Sequence, residues 1–441
     1  MSDATNRLPY CFFSSFSGLK TPLLFIFALV NLFFSNTSIA QETNSPLSFY
    51  GIGEINTEGT AINAVSGGLG VANSNGIYIN NLNPATLARN RYTVFEMGVN
   101  MEGKAMQNNE RRSNTFGGAL APITLAFPMS PKWSMSLSLR PVSGITYGTF
   151  SSHKLKITGE DSIITTYSGS GGLNKAVISN GYRVSKDMYL GLETGLLFGV
   201  INKDISTQNL TDNQSYLVKL ADRSNYSGFQ WKLGYLWRPK ISKNYFLNIG
   251  ATAELSQNVN VTRSIEIQTY SSSGISKLNA DTLYRNPDLT TTLPSTYRIG
   301  VALERPGKLN VSLDYSMTKW NEFKNTEGKN DNLSNSYKVA IGAEYIPDFE
   351  ALNGYFKHVM YRAGASYTQT PYSYANGAKL NDMNISVGAS FPLRNISYLN
   401  LSLVAGKRGT LATNGVEEQY TKIVIGFTLG DFYWFRKPKI D

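Results

Sequence analysis

The sequence predicts an all-β protein, a 14-stranded antiparallel transmembrane β-barrel with an N-terminal plug in its lumen. Three observations carry this expectation. From about Arg91 onward, apolar and polar residues alternate in segment after segment; the connections between segments alternate between short and long; and an export leader stands in front of them. Side chains on a strand point to opposite faces with a period of two, so each alternating segment has one apolar and one polar face. The run Phe229, Trp231, Leu233, Tyr235, Trp237, interleaved with Gln230, Lys232, Gly234 and Leu236, is a clear example. A long series of such segments behind a secretion signal reads as an outer-membrane barrel.

Residues 1–40 read as the leader. An apolar stretch at 21–34 follows Arg7 and Lys20, and Ser38-Ile39-Ala40 is a small-x-small cleavage pattern, so the mature chain is expected to start at Gln41. The stretch is shorter than the roughly 20 residues a spanning helix needs. The leader is long, which leaves the true start codon open. Cys11, the single cysteine, precedes the apolar stretch, so it cannot be a lipoprotein cysteine at the cleavage site, and the mature chain has none for disulfides or thiolate metal sites. The net charge of +10 comes without a basic cluster or a recognition motif, so anionic lipid headgroups explain it better than nucleic acid. Abundant aromatics (26 Tyr, 22 Phe) suit girdles at both membrane interfaces.

Residues 41–90 do not alternate and are rich in Gly and Asn. Fifty residues before the first strand suit a lumenal plug, because fourteen strands enclose more space than side chains fill. Residues 91–441 form the expected barrel. Strands begin near Tyr92, Asn114, Lys132, Gly172, Met188, Tyr226, Tyr245, Pro294, Lys308, Ser336, Val359, Asn381, Ser397 and Tyr420. Short turns fall at 129–131, 184–187, 239–243, 305–307 and 392–394, with a longer one at 347–358; seven long polar loops alternate with them. Six turns and seven loops give an even barrel with short periplasmic turns and long outer loops. The stretches 154–167 and 259–270 also alternate and read as strand extensions above the membrane; as independent hairpin arms they would raise the count to sixteen. A soluble β-sandwich is disfavoured, because one face is apolar from strand to strand while Asn248, Glu254, Arg298, Glu304, Asp314, Lys338, Glu344 and Arg362 share the other. A barrel turns those charges inward; a basic residue on the lipid face would cost roughly 2–4 kcal/mol at the midplane. Glu96, Glu193 and Glu254 are expected to pair there with Arg140, Lys232 and Arg298. The last strand ends in aromatics at 432–435, followed by a basic tail that resembles Bacteroidota outer-membrane proteins.

The segment Ser66-Gly67-Gly68-Leu69-Gly70-Val71-Ala72, then Ile77 to Asn81, then Asn83-Pro84-Ala85 resembles the N-terminal hatch of FadL-type proteins, and the opening at 45–53 resembles their Bacteroidota branch. The resemblance implies fourteen strands, an N-terminal hatch, and passive uptake of hydrophobic molecules such as fatty acids or aromatics. It makes Gly67, Gly68, Gly70, Asn83, Pro84 and Ala85 the hatch and substrate-path candidates; the plainer reading of the Asn-Pro-Ala motif is a turn that enters strand one. That family releases substrate sideways beside a kinked third strand. Here Pro122 in strand two and Pro141 with Gly144 in strand three mark a candidate lateral opening, since proline has no N–H for a ladder and glycine marks bulges. A bulge that merely fits barrel curvature is the alternative.

No catalytic constellation, metal cluster or phosphate loop is visible, and no cofactor is expected. His153 and His358 fall at opposite ends. FadL-like uptake is the leading functional reading; the alternative is a non-catalytic barrel subunit of a larger outer-membrane secretion or barrel-assembly complex, with 258–293 as a partner-binding arm. A general porin is disfavoured by the plug and by the apolar Ile77, Tyr78 and Ile79. The expected location is the outer membrane of a Gram-negative bacterium. The expected partners are lipid and lipopolysaccharide, the barrel-assembly machinery during insertion, a hydrophobic ligand in the uptake reading, and proteins in the complex reading.

Overall fold

A computed structural model describes residues 45–431 except 110, 156–160, 212–214, 374–376 and 395. The leader at 1–40, the aromatic end at 432–435 and the basic tail lie outside the described residues. Fourteen strands form one closed antiparallel barrel. They are β1 (Thr93–Asn108), β2 (Arg112–Leu120 and Ile123–Ser130), β3 (Trp133–Leu155), β4 (Asp161–Arg183), β5 (Met188–Asn209), β6 (Leu217–Trp237) and β7 (Phe246–Glu254 and Gln257–Tyr270). The series continues with β8 (Lys277–Leu293 and Thr296–Arg305), β9 (Leu309–Thr318), β10 (Ser336–Tyr345), β11 (Met360–Ser373), β12 (Lys379–Arg394), β13 (Ser397–Arg408) and β14 (Val416–Asp431). β2, β7 and β8 are each interrupted once, and at least one neighbour runs along both halves of each: β1 for β2, β6 and β8 for β7, and β7 for β8. The barrel closes where β14 meets β1, from Val416↔Asn108 to Asp431↔Thr93.

The alternation sorts side chains as a membrane barrel requires. Leu313, Ile341, Leu401, Leu403, Ile423 and Phe427 are exposed on the outer wall, while Arg140, Lys232, Arg362, Glu193 and Glu418 are buried inside. This inverts a water-soluble protein, and lipid is the solvent that suits it.

The wall is uneven in height. β3, β4, β5 and β6 run for 21 to 23 residues, whereas β9 and β10 have 10 each. A tilted strand crosses the bilayer in about 9–11 residues, so one side rises well beyond it. The described residues of the alternating stretches at 154–167 and 259–270 belong to such extensions, and the count stays at fourteen. The long 258–293 connection is itself a β-hairpin, the outer halves of β7 and β8.

Residues 45–90 pack against the inner face of the wall. Leu47 and Ile52 join an apolar cluster with Ile145, Leu173, Leu197, Leu293, Phe323 and Tyr372 in the outer half. Ile79 and Leu87 pack with Val94 and Ala126, and Ala85 and Ala88 with Tyr189 and Leu236, near the short-turn end. A short helix, Ala61–Val65, lies between, its first turn closed by Thr60 and Asn63.

Candidate functional site

Of the predicted hatch residues, Gly67, Gly70 and Asn83 hydrogen-bond to the wall and Pro84 and Ala85 pack against it, while the Gly68 N–H stays within the segment, on the Asn63 carbonyl. Asn83 is fully buried; its Oδ1 accepts from the Ala85 N–H at 3.0 Å, capping the 3-10 helix Pro84–Arg89, whose first residue is the proline. The Asn83 amide also donates to the Val71 carbonyl at 2.8 Å and to the Tyr235 carbonyl of β6 at 3.0 Å. Asn-Pro-Ala therefore combines a helix-capping turn before β1 with a staple to the opposite wall. Gly67 and Gly68, at φ of 71° and 81°, make a turn that side chains resist. The Gly67 N–H donates to Ser386 Oγ at 2.9 Å, and the N–H groups of Gly70 and Val71 both donate to one Asp314 oxygen at 2.8 and 2.9 Å.

The wall makes room with glycines that the sequence reading did not single out. Gly181, Gly191 and Gly234 stand opposite one another on β4, β5 and β6, and a methyl added to any of them would collide with the 83–88 turn. Gly250 and Gly300 face Val71, Gly342 and Gly364 face Ser66, Gly388 faces Val65, and Gly426 faces Ala61. The segment thus tours the barrel in reverse strand order, resting on bare backbone. The signal was present in the sequence as glycine at inward positions of alternating strands.

Midway down the lumen, charges tie the segment to the wall. Glu58 receives Lys175 at 2.7 Å and Lys232 at 2.5 Å, with Arg298 at 3.6 Å; Glu193 receives Arg140 at 3.0 Å and Lys232 at 3.2 Å; Glu254 lies 3.6 Å from Lys175 and 3.9 Å from both Lys232 and Arg298. Burial alone would push the Glu58 carboxyl up, but Lys175, Lys232 and Arg298 outweigh it and hold it well below the usual carboxylate range. The expected lining of Glu193, Glu254, Arg140, Lys232 and Arg298 is present, with Lys175 and Glu58 added. Glu96 is a correction. Asn81 intervenes, its amide on Thr124 and its carbonyl oxygens on Arg140, and Glu96 instead accepts from the Ile79 N–H at 3.1 Å and Thr428 at 3.2 Å. Higher up, Glu54 pairs with Lys104 at 2.8 Å and Arg408 at 2.9 Å. Of these charges, Glu54, Glu58, Lys104, Glu254, Arg298 and Arg408 border a cavity of about 440 Å³.

The two prolines sit where the wall parts. The ladder between β2 and β3 runs from Ser130↔Trp133 to Ile123↔Leu139 and stops there, one residue short of Pro122 and two short of Pro141. Beyond it, among the described residues, Arg112–Leu120 pairs with β1 alone. The edge of β3 is taken by the N-terminal segment: Glu54 pairs with Gly144, Ile55 with Ser143, and the Asn56 and Ser45 N–H groups donate to Val142 and Thr146, each at 2.9 Å. Gly117, Gly118 and Ala119 on one side and Val142 and Gly144 on the other line the same cavity. β3 also carries a register shift against β4 between Pro141 and Ser143. His153 lies on the outer extension of β3, far along the wall from His358, and the described residues hold no His/Cys/Asp/Glu group suited to a metal ion.

Sequence comparison decides the family. The model of the BamG family matches residues 23–441. The chain belongs to the BamG family. No curated protein matches it in sequence. Among solved structures, this BamG-family barrel is similar to CymD, a monoaromatic hydrocarbon channel (15% identity, TM-score 0.55, covering 86% of this chain and 99% of that one). It is also similar to the Ralstonia pickettii toluene transporter TbuX (14%, TM-score 0.55, 85% and 99%) and a Pseudomonas aeruginosa FadL homologue (12%, TM-score 0.53, 90% and 100%). At such identities the likeness establishes the fold, a FadL-like outer-membrane barrel.

Proposed function

We propose that this protein is a non-catalytic barrel subunit of a larger outer-membrane complex, with residues 41–90 as its plug. The observation that carries this reading is the Glu58 clamp: three wall cations converge on one carboxylate of the N-terminal segment, and buried ion pairs, not an apolar path, occupy the lumen at that level. Such a barrel offers partners a rigid wall and tall outer strands. Membership in the BamG family favours the barrel-assembly kind of complex over the secretion kind. The leader at 1–40, removed on export, and an origin in the Bacteroidota belong to the same proposal, supported by the Ser38-Ile39-Ala40 pattern and the basic tail.

A second reading is favoured by the parted wall. Hydrophobic molecules would enter from the outer loops and leave between β2 and β3 at Pro122, Pro141 and Gly144, without passing the clamp. The similar channels named for monoaromatic hydrocarbons and toluene support it through fold alone.

Tagged full-length protein, drawn from native outer membranes in mild detergent, separates the two. The complex reading expects stoichiometric partner proteins through size exclusion and unchanged hydrocarbon accumulation in a strain lacking the protein. A lone barrel, together with impaired accumulation, would overturn it in favour of uptake.

A further inference from the structure

We propose that the outer half of β2, Arg112–Leu120, is a docking edge completed by an extended strand of a partner outer-membrane protein. This deepens the complex reading and rests on it.

The ladder on the β1 side covers only one edge of this strand. Ala121 turns its N–H to Gly98 of β1 at 3.0 Å, so by alternation the N–H groups of Leu120, Gly118 and Phe116 point into the parting. Neighbours at this level are lipid-facing: Val99, Met101 and Gly103 on β1, which pair onward with Ile425, Ile423 and Thr421 on β14. Phe116 and Leu120 are 74% and 61% exposed. On its lipid side a strand edge at membrane depth finds no water for its backbone groups, which closed barrels avoid, although Gly117, Gly118 and Ala119 also border the lumenal cavity.

The molecule's other edges are treated differently. β3 is covered by residues 45–56 of its own chain. The outer edge of β8 stands in the tall extension, carries Lys277, Asp281, Arg285, Pro287 and Asp288, and is broken by three register shifts against β7. Charges, proline and bulges are the usual means of blunting an edge. From Ser113 to Leu120 there is no charge, no proline and no register shift. This edge is left competent for pairing, the condition for strand addition.

The adjoining outer wall is mixed, apolar toward β10 to β12, where Val339, Ile341, Tyr367, Met383 and Ile385 stand, and small or polar toward β2. A hollow of about 1080 Å³ crosses the outward faces of β10 to β14, β1 and β2. Toward β2 it is lined by Gly103, Ala105, Asn114, Lys407, Gln419 and Thr421, small or polar residues where Leu401, Leu403 and Ile423 stand lower on the same wall. Polar groups facing outward beside an open edge match the mixed character of a protein interface. The occupant is an alternating, apolar-faced strand whose parent protein fills this hollow.

The test uses full-length protein in its native outer membrane, with a photo-crosslinking residue at Phe116 and a control at Leu313 on β9. The expected adduct at 116 joins an alternating segment of a protein that also co-purifies stoichiometrically, and the control gives none with it. Gly118→Pro removes one N–H from the open edge without touching the β1 ladder, and should lower the co-purified partner roughly tenfold or more, as about 1.4 kcal/mol of lost binding would. If that variant fails to assemble, the crosslink decides alone. Adducts only with lipid, or with this chain's own residues, overturn the inference. Should a partner co-purify but crosslink only elsewhere, the complex reading stands and the edge assignment falls; a barrel that purifies alone removes both.

Discussion

Glu58 is the residue on which the lumen turns. Among the described residues it is the one acidic group that the N-terminal segment sends into the Lys175, Lys232 and Arg298 cluster, and Lys175 and Lys232 are buried away from water. Breaking a buried pair by removing one partner costs about 3–5 kcal/mol because it strands the other charge. Glu58→Gln should therefore destabilise the packed segment by that order, read as earlier proteolysis of residues 45–90 in urea while the barrel still migrates as a folded band. Its depressed carboxyl also sets the pH response. The stabilisation is complete above the ordinary carboxylate value of 4.5 and is lost only as pH falls through the much lower folded value. Wild-type protection should persist at pH 4.5 and fall away in stronger acid, and Glu58→Gln should abolish that part of the acid response.

At the scale of elements, the bare inner faces of β4, β5 and β6 determine where the Asn83-Pro84-Ala85 turn rests. Gly191→Val would place carbon against the Ala85 N–H and the Pro84 carbonyl, yet leave the lipid-facing residues of β5 unchanged. The expected outcome is a barrel that inserts normally and shows a higher single-molecule conductance in planar bilayers, whereas Gly195→Ala, whose nearest contact is the Val177 side chain at 3.3 Å, stays near wild type. The strands were legible because side-chain parity is local: Phe229 to Trp237 declares its two faces without reference to anything else. The ladder break near Pro122 was legible for the same reason, through the missing N–H. The partner of Glu58, the insertion of Asn81 between Glu96 and Arg140, and the use of residues 54–56 as a strand were not. Each depends on how a non-periodic stretch of nearly fifty residues folds against strands hundreds of positions away, and no local period encodes that.

The molecule as a whole is a tall half-wall of β3 to β8 joined to a low half of β9 to β13, with charge inside and lipid-facing residues outside. Its seam, β14 against β1, lies directly over the N-terminal segment: Ser402 of β13 donates to the Ala61 carbonyl at 2.7 Å, and Ala61 sits against Gly426 of β14. The consequence is one of timing. Residues 45–90 leave the export machinery first, yet the strands that hold them at the seam arrive last, and a cylinder zipped shut early would leave them outside. Packing must precede sealing. In a pulse-chase experiment, protease protection of the segment should arise no later than the heat-resistant closed form; closed barrels that still carry a cleavable N-terminal segment would contradict that order. The protein is, in this sense, a vessel loaded before its last stave is set.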